Sequence, residues 1–490
     1  MQGFLELQWN GRLLWPLLLK LALLALAIGA ARARGRASAS PWRETLALAV
    51  ALLGVNLCFD LLSVGLSFNA APHGRGAVAP LFAYFAPRFA WPAVLHAALA
   101  AAAIAASPRW LAPERTSPRA FALGLYGAAL AGPPLLAFSS PPSEVFQQFF
   151  RSGLDYPRDV PPLANAIALL RSHVASMPEL SIHARTHGPG ALLTLSAIRS
   201  LVGSGELAQA LALQALGALL PLATWAFARG LQGERAARLA AGLLALSPSF
   251  QLFSFVSMDG VFALWLFALF ALGFAALYRS GASRRSAWLA GGIGYAAALH
   301  SFSASVVALQ LGFAALRGLR TRALAWRQLA AVAWRAAAAA LACHALLRAS
   351  TGFDLVACFR AALRENDALI EPAWASLESA GLRALGNAAA FAFACGIPVS
   401  ALALAALAAR RRDPSPLAQL GSATALAIGA TLLLGLYQWE VERIWLFLVP
   451  AVSASAAGLL ASHEPATQRR VLGLVWLQSF ATELALHTWW

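Results

Sequence analysis

The chain has 490 residues, of which 60% are hydrophobic and only 12% charged, with a formal net charge of +16. A soluble globular chain carries about 25% charged residues, so a soluble enzyme, a disordered protein and a nucleic-acid-binding domain are all excluded. In a polytopic membrane protein the same basic excess has another use: it holds loops on the cytoplasmic side and lies against anionic lipid.

A spanning helix needs about 20 mostly apolar residues. Such runs lie near 13–31, 45–67, 89–107, 119–138, 206–228, 236–252, 259–278, 328–347, 385–409, 416–437, 443–461 and 470–488. The apolar stretch 286–317 carries His300, Ser301, Ser303 and Ser305 at its middle, which predicts two short helices meeting at a polar turn. The pattern reads as an all-α, polytopic transmembrane helix bundle of about 14 spans. The first run precedes its strongest positive cluster, Arg32, Arg34 and Arg36, and is expected to be retained as an anchor with the N-terminus outside. Trp42, Trp91, Trp374, Trp439, Trp445, Trp489 and Trp490 are expected at the membrane interfaces.

Orientation follows from arginine, since one lysine, Lys20, stands against 36 arginines. Clusters at 32–43, 109–119, 229–238, 279–285, 317–327 and 410–412 all fall inside, provided the short segment 189–203 does not cross. That segment opens with Gly188-Pro189-Gly190 and contains Arg199, so it is expected to be juxtamembrane or re-entrant on the outer side. Two long outer loops result, near 139–205 and 348–384, and most of the acidic residues gather there and at two outer turns. Within the first, Ile167, Leu170 and Val174 form one helical stripe, expected to lie flat on the membrane. The cysteines, with no Cys-x-x-Cys spacing, suggest neither a disulfide framework nor a thiolate-bound metal.

The most informative stretch, Glu144 to Gly190, places carboxylates directly after a span. It then runs through His183-Ala184-Arg185-Thr186-His187 into the proline–glycine turn. This stretch resembles the GT-C glycosyltransferase superfamily, which includes protein O-mannosyltransferases and lipid A aminoarabinose transferases. Members carry an acidic first outer loop, a His-Pro-Pro-Gly or -Leu motif and a juxtamembrane helix. Here the motif reads Thr186-His187-Gly188-Pro189-Gly190, with glycine at the position of the first proline. Leu244 to Ser249, then Asp259 opening a span, and the stretch 437–445 continue the likeness. It is carried mainly by residues 120–300. Residues 1–118 then read as additional N-terminal helices, 119–347 as the GT-C-like core with its outer loop 139–205, and 348–490 as a second outer loop and C-terminal helices.

The resemblance implies transfer of a sugar from a polyprenyl-phosphate donor to an extracytoplasmic glycan, lipid or protein acceptor, with inversion. An outer-loop carboxylate is the general base, Asp155 or Asp159 first and Glu144 third. Arg443 is expected to hold the lipid phosphate, with Asp259 and Glu440 at the substrate. His183, Arg185 and His187 are expected to contact phosphate, acceptor or a divalent metal ion. The resemblance and the arginine bias together point to a bacterial cytoplasmic membrane, with the site on its outer side. Against this stand a solvated loop in which Asp155 and Asp159 only pair with Arg151 and Arg158, a transporter or lipid flippase built around His300, and a non-catalytic scaffold of the same shape.

Overall fold

The computed structural model describes residues 41–61, 81, 83–279, 283–369, 376–410, 413–437 and 440–488. The hydrophobic run at 13–31 lies outside them, as do Trp374, Trp439, Trp489 and Trp490. The described residues are almost wholly helical. Their sheet is a two-stranded ribbon in which Ala83–Phe85 runs antiparallel to Leu486–Thr488.

Local sequence sets several helix starts. Ser117, Ser247 and Ser415 each precede a proline, and each side chain accepts a hydrogen bond from the backbone N–H three residues on, at Ala120, Phe250 and Ala418. The serine satisfies one orphan donor while the proline, lacking an N–H, forfeits nothing in the first turn. Gly352 and Gly435 close two helices in the left-handed conformation, which glycine adopts without a Cβ clash.

Six helices among the described residues are long and apolar enough to cross a membrane. They are Pro118–Ala137, Glu206–Gln232, Asp259–Tyr278, Trp326–Thr351, Pro416–Leu434 and Val441–Leu460. The pair Ala380–Ala394 and Ile397–Ala409, bent by 107°, makes a seventh if it is one broken span. These elements fit a multi-pass membrane protein, with six or seven spans by length and apolarity against the fourteen expected. Trp91–Ala105 is only 15 residues long, and 236–252 divides at Ser247 into Glu234–Leu246 and Pro248–Phe253.

Asp259–Tyr278 is the centre of the bundle. It packs against Ser283–His300, Ala304–Arg320, Glu206–Gly217 and the turn Trp445–Leu448. A helix apolar on all sides has to be surrounded. At its first turn Gly260 meets Gly217, and a Cβ on Gly260 would lie 3.2 Å from the Gly217 Cα. The two backbones therefore touch directly and fix where Asp259 sits.

Segment 189–203 forms the thirteen-residue helix Gly190–Val202, short of a span. The break in 286–317 falls between Ser283–His300 and Ala304–Arg320, in helices of 18 and 17 residues rather than short ones. Three expectations change. Leu170 and Val174 pack with Met177 against Phe353 and Cys358 of the segment after Trp326–Thr351, which leaves Ile167 as the exposed member of the stripe. Trp445 is fully buried against Phe391 and Tyr437, not an interface anchor. Arg238 is fully buried, pairing with Glu234 and donating to the carbonyls of Trp110, Ala112 and Thr116. It closes the 110–116 loop from within and is not a solvent-facing loop charge.

Candidate functional site

Three irregular segments converge at the start of the central helix. In the first, Gly153 turns with φ +74° and Asp155 follows in extended conformation, ahead of the single turn Tyr156–Asp159. In the second, Val256 has φ 54°, and the Asp259 N–H donates to Ser257 Oγ at 3.1 Å. In the third, Glu440 has φ 62° and leads into the turn Val441–Ile444 that carries Arg443. Ser249 Oγ donates to the Glu442 carbonyl at 2.9 Å and ties the second segment to the third. Positive φ at a β-branched residue is strained, by about 1–3 kcal/mol. Val256 is one such position, and with Glu440, also at positive φ, it flanks one charged cluster.

Arg443 is the hub. Its guanidinium lies 3.4 Å from Asp259 Oδ2 and 3.0 Å from Glu440 Oε2, with all three side chains largely buried. Asp155, only 3% exposed, is in the same electrostatic group. Three carboxyls thus share one guanidinium, and a buried cluster cannot hold all three ionised without further cations. Burial pushes Asp155 up to about 7, against the pull of Arg443 and with a smaller push from Asp259 and Glu440. Its Oδ2 is buried with no hydrogen-bond partner. A carboxyl of this kind takes up and releases a proton near neutral pH, the property of a general base or acid.

The two histidines complete the wall. His187 Nδ1 donates to the His183 carbonyl at 2.9 Å, which leaves Nε2 as the acceptor. Its ring stacks on Phe262 at 5.8 Å and meets Tyr156 edge-on at 5.9 Å. Burial first, then Arg443, keeps both imidazoles neutral, His187 falling to about 4 and His183 well below its ordinary value. They offer hydrogen bonds to hydroxyls rather than charge to phosphate. Among the described residues no group of three or more His, Cys, Asp or Glu is arranged to hold a metal ion.

Of the residues expected at a site, Asp155, His183, His187, Asp259, Glu440 and Arg443 come together. The remaining three go elsewhere. Asp159 accepts the Ser181 N–H at 2.8 Å and braces the loop. Arg185 faces Glu365 of the second outer segment at 3.9 Å. Glu144 is exposed in the wall of a different cavity. Arg151, the alternative partner for Asp155, pairs instead with Glu206. His300 makes an interhelical bond, its Nε2 lying 2.9 Å from Thr194 Oγ1 while the ring stacks on Trp265. Sequence reasoning missed Tyr156 and Phe262. The first adjoins Asp155, and the second lies one helical turn beyond Asp259, so both positions were within reach of the pattern. No protein-family model matches this chain, and a search of curated proteins finds no match either.

Proposed function

We propose that this protein is an integral-membrane glycosyltransferase that moves a sugar from a polyprenyl-phosphate donor to an extracytoplasmic acceptor. Asp155 is the general base and Arg443 the phosphate contact. The observation that carries this reading is a nearly buried carboxyl with a proton affinity near neutrality, in one cluster with a buried arginine where the outer segment meets the central helix. In that arrangement Asp155 accepts the proton of the acceptor hydroxyl as it attacks the anomeric carbon. Arg443 neutralises the phosphate as its bond to the sugar breaks, where negative charge develops. Neutral His183 and His187 orient hydroxyls, and Glu440 and Asp259 hold the guanidinium plane. Asp155 is closed off from bulk water here, so substrates reach it by displacing part of segment 152–187.

The test is transfer by the purified protein in lipid nanodiscs with a panel of polyprenyl-phosphate sugars. Asp155→Asn should lower the rate by about 10²–10⁴. Arg443→Lys should weaken donor binding, because an ammonium cannot replace the planar fork. The wild-type rate should rise as pH increases through about 7, where Asp155 loses its proton. Turnover undiminished in Asp155→Asn, with Asp159→Asn inactive, would move the base to Asp159.

A second reading, a transporter or flippase, is favoured by the broken helices: the 107° bend between Ala394 and Ile397 and the interruption at Ser301–Ser303. Transporters place such breaks at their substrate sites. Passage of an intact lipid-linked sugar across a sealed vesicle, with no product formed, would favour it.

A further inference from the structure

A cavity of about 1040 Å³ lies apart from the Asp155 cluster, between the start of the Trp91–Ala105 helix, the end of Pro118–Ala137 and the first turns of the outer segment. The ribbon of Ala83–Phe85 with Leu486–Thr488 borders it, and His487 reaches its wall. It is therefore built by residues 86–92 and the ribbon folded against residues 135–148, and no residue of the Asp155 cluster lines it.

Its wall has a definite chemistry. Ser139 and Ser140 are both nearly fully buried, and both hydroxyls lack a hydrogen-bond partner. Those two oxygens are shielded from the cavity, so its polar surface comes from other side chains. Gln147, Gln148 and the exposed Glu144 add two amides and a carboxylate. The cation in the wall is already committed: Arg88 pairs with Glu483 and lies 2.7 Å from His487 Nδ1. Burial, with Arg88 beside it, holds His487 neutral, its pKa lowered to about 4. Trp91, 72% exposed, and Phe89, 68% exposed, form an open aromatic shelf at one side.

From these features we infer that this cavity is a binding site for an uncharged, polyhydroxylated head group of carbohydrate type. The two amides and the carboxylate can donate to and accept from the hydroxyls of a polyol. The negative faces of the indole and phenyl rings attract the weakly positive C–H face of a sugar ring. A phosphate finds no uncommitted guanidinium in the wall and meets the Glu144 carboxylate. The volume lies at the upper end of the range for ligand pockets and admits a disaccharide. This inference does not rest on the glycosyltransferase reading, because it concerns binding and uses none of that cluster.

The test uses full-length protein in nanodiscs and a dodecyl maltoside bearing a diazirine next to the sugar. After photolysis, cross-links should concentrate in peptides covering 86–92 and 139–148, and unlabelled dodecyl maltoside should compete them away. Trp91→Ala and Glu144→Ala, both on exposed side chains, should cut labelling at least tenfold with unchanged thermal unfolding. The double variant Gln147→Ala, Gln148→Ala should do the same. Competition by free maltose at similar concentration would identify a soluble glycan as the ligand, and competition by the amphiphile alone would identify a glycolipid; both support the site. Equal competition by dodecyl phosphate, or labelling spread along the apolar surface and indifferent to every variant, would overturn it.

Discussion

At the scale of single residues, the burial that brings Asp155 near neutrality also makes it a source of instability. Its carboxyl binds a proton more tightly in the folded chain, at about 7, than at its ordinary 3.8. Between those values the folded state holds a proton that the unfolded state has released, so stability falls as pH rises through the window. The shift corresponds to about 4 kcal/mol. Asn mimics the protonated acid. Asp155→Asn should therefore match the wild type near pH 4, gain steadily to about pH 7, and keep a constant advantage above it. Thermal unfolding in one detergent across that range checks this. A variant less stable than wild type at pH 8 would mean that the carboxylate mainly serves to neutralise Arg443. The residues of the cluster were legible because acidic side chains are so few among apolar runs in this chain that each stands out. Which ones converge was not legible. Asp155 and Asp159 lie four apart in an irregular loop, where no helical period assigns a face, and only tertiary contacts send one to Arg443 and the other to the Ser181 amide.

At the scale of elements, the Gly188-Pro189-Gly190 turn shows why position 188 holds a glycine. A Cβ on Gly188 would lie 2.3 Å from the Leu299 carbonyl oxygen, and one on Gly190 2.7 Å from it. The outer segment therefore rests backbone on backbone against the end of Ser283–His300, the same helix end that holds Thr194 through His300. Gly188→Ala has to push the turn off that surface and should destabilise by about 1–3 kcal/mol. It should also displace His187 and lower transfer, whereas Thr186→Ala, whose hydroxyl bonds only neighbouring carbonyls and His187, should do neither to that degree. Melting temperature and rate measured together separate the two. Arg238 tests the opposite end of the bundle. Removing a buried, hydrogen-bonded partner of an ion pair costs about 3–5 kcal/mol. Arg238→Met leaves three carbonyls of the 110–116 loop without that donor, and Arg238→Lys reaches fewer of them. Both should lower the unfolding temperature, Met more than Lys. Sequence counting placed Arg238 in a loop cluster but could not give its burial, because a buried arginine and an exposed one look alike until the carbonyls it serves are seen.

At the scale of the whole molecule, apolar length and the break at Ser301–Ser303 were readable along the chain, while the breaks at Ser247 and before Ile397 and the number of crossings were not. Length separates a 26-residue helix such as Trp326–Thr351 from the thirteen residues of Glu234–Leu246. It says nothing of whether a shorter helix is covered by protein or by lipid. Orientation is open to a direct test. Pro118–Ala137 begins beside exposed Arg115 and Arg119 and ends at the segment that carries Asp155. If short arginine-rich loops stay inside, these two ends face opposite compartments. In a chain with its native cysteines replaced, Arg158→Cys at an exposed outer position should react with a membrane-impermeant maleimide in intact cells. Arg115→Cys should react only after the membrane is opened. Labelling of both from one side would break the alternation on which the outward-facing site depends, since the Asp155 segment would then share a compartment with the arginine loops. The opposite labelling would fix the side from which an acceptor reaches Asp155, because the segment that must move, 152–187, is continuous with position 158.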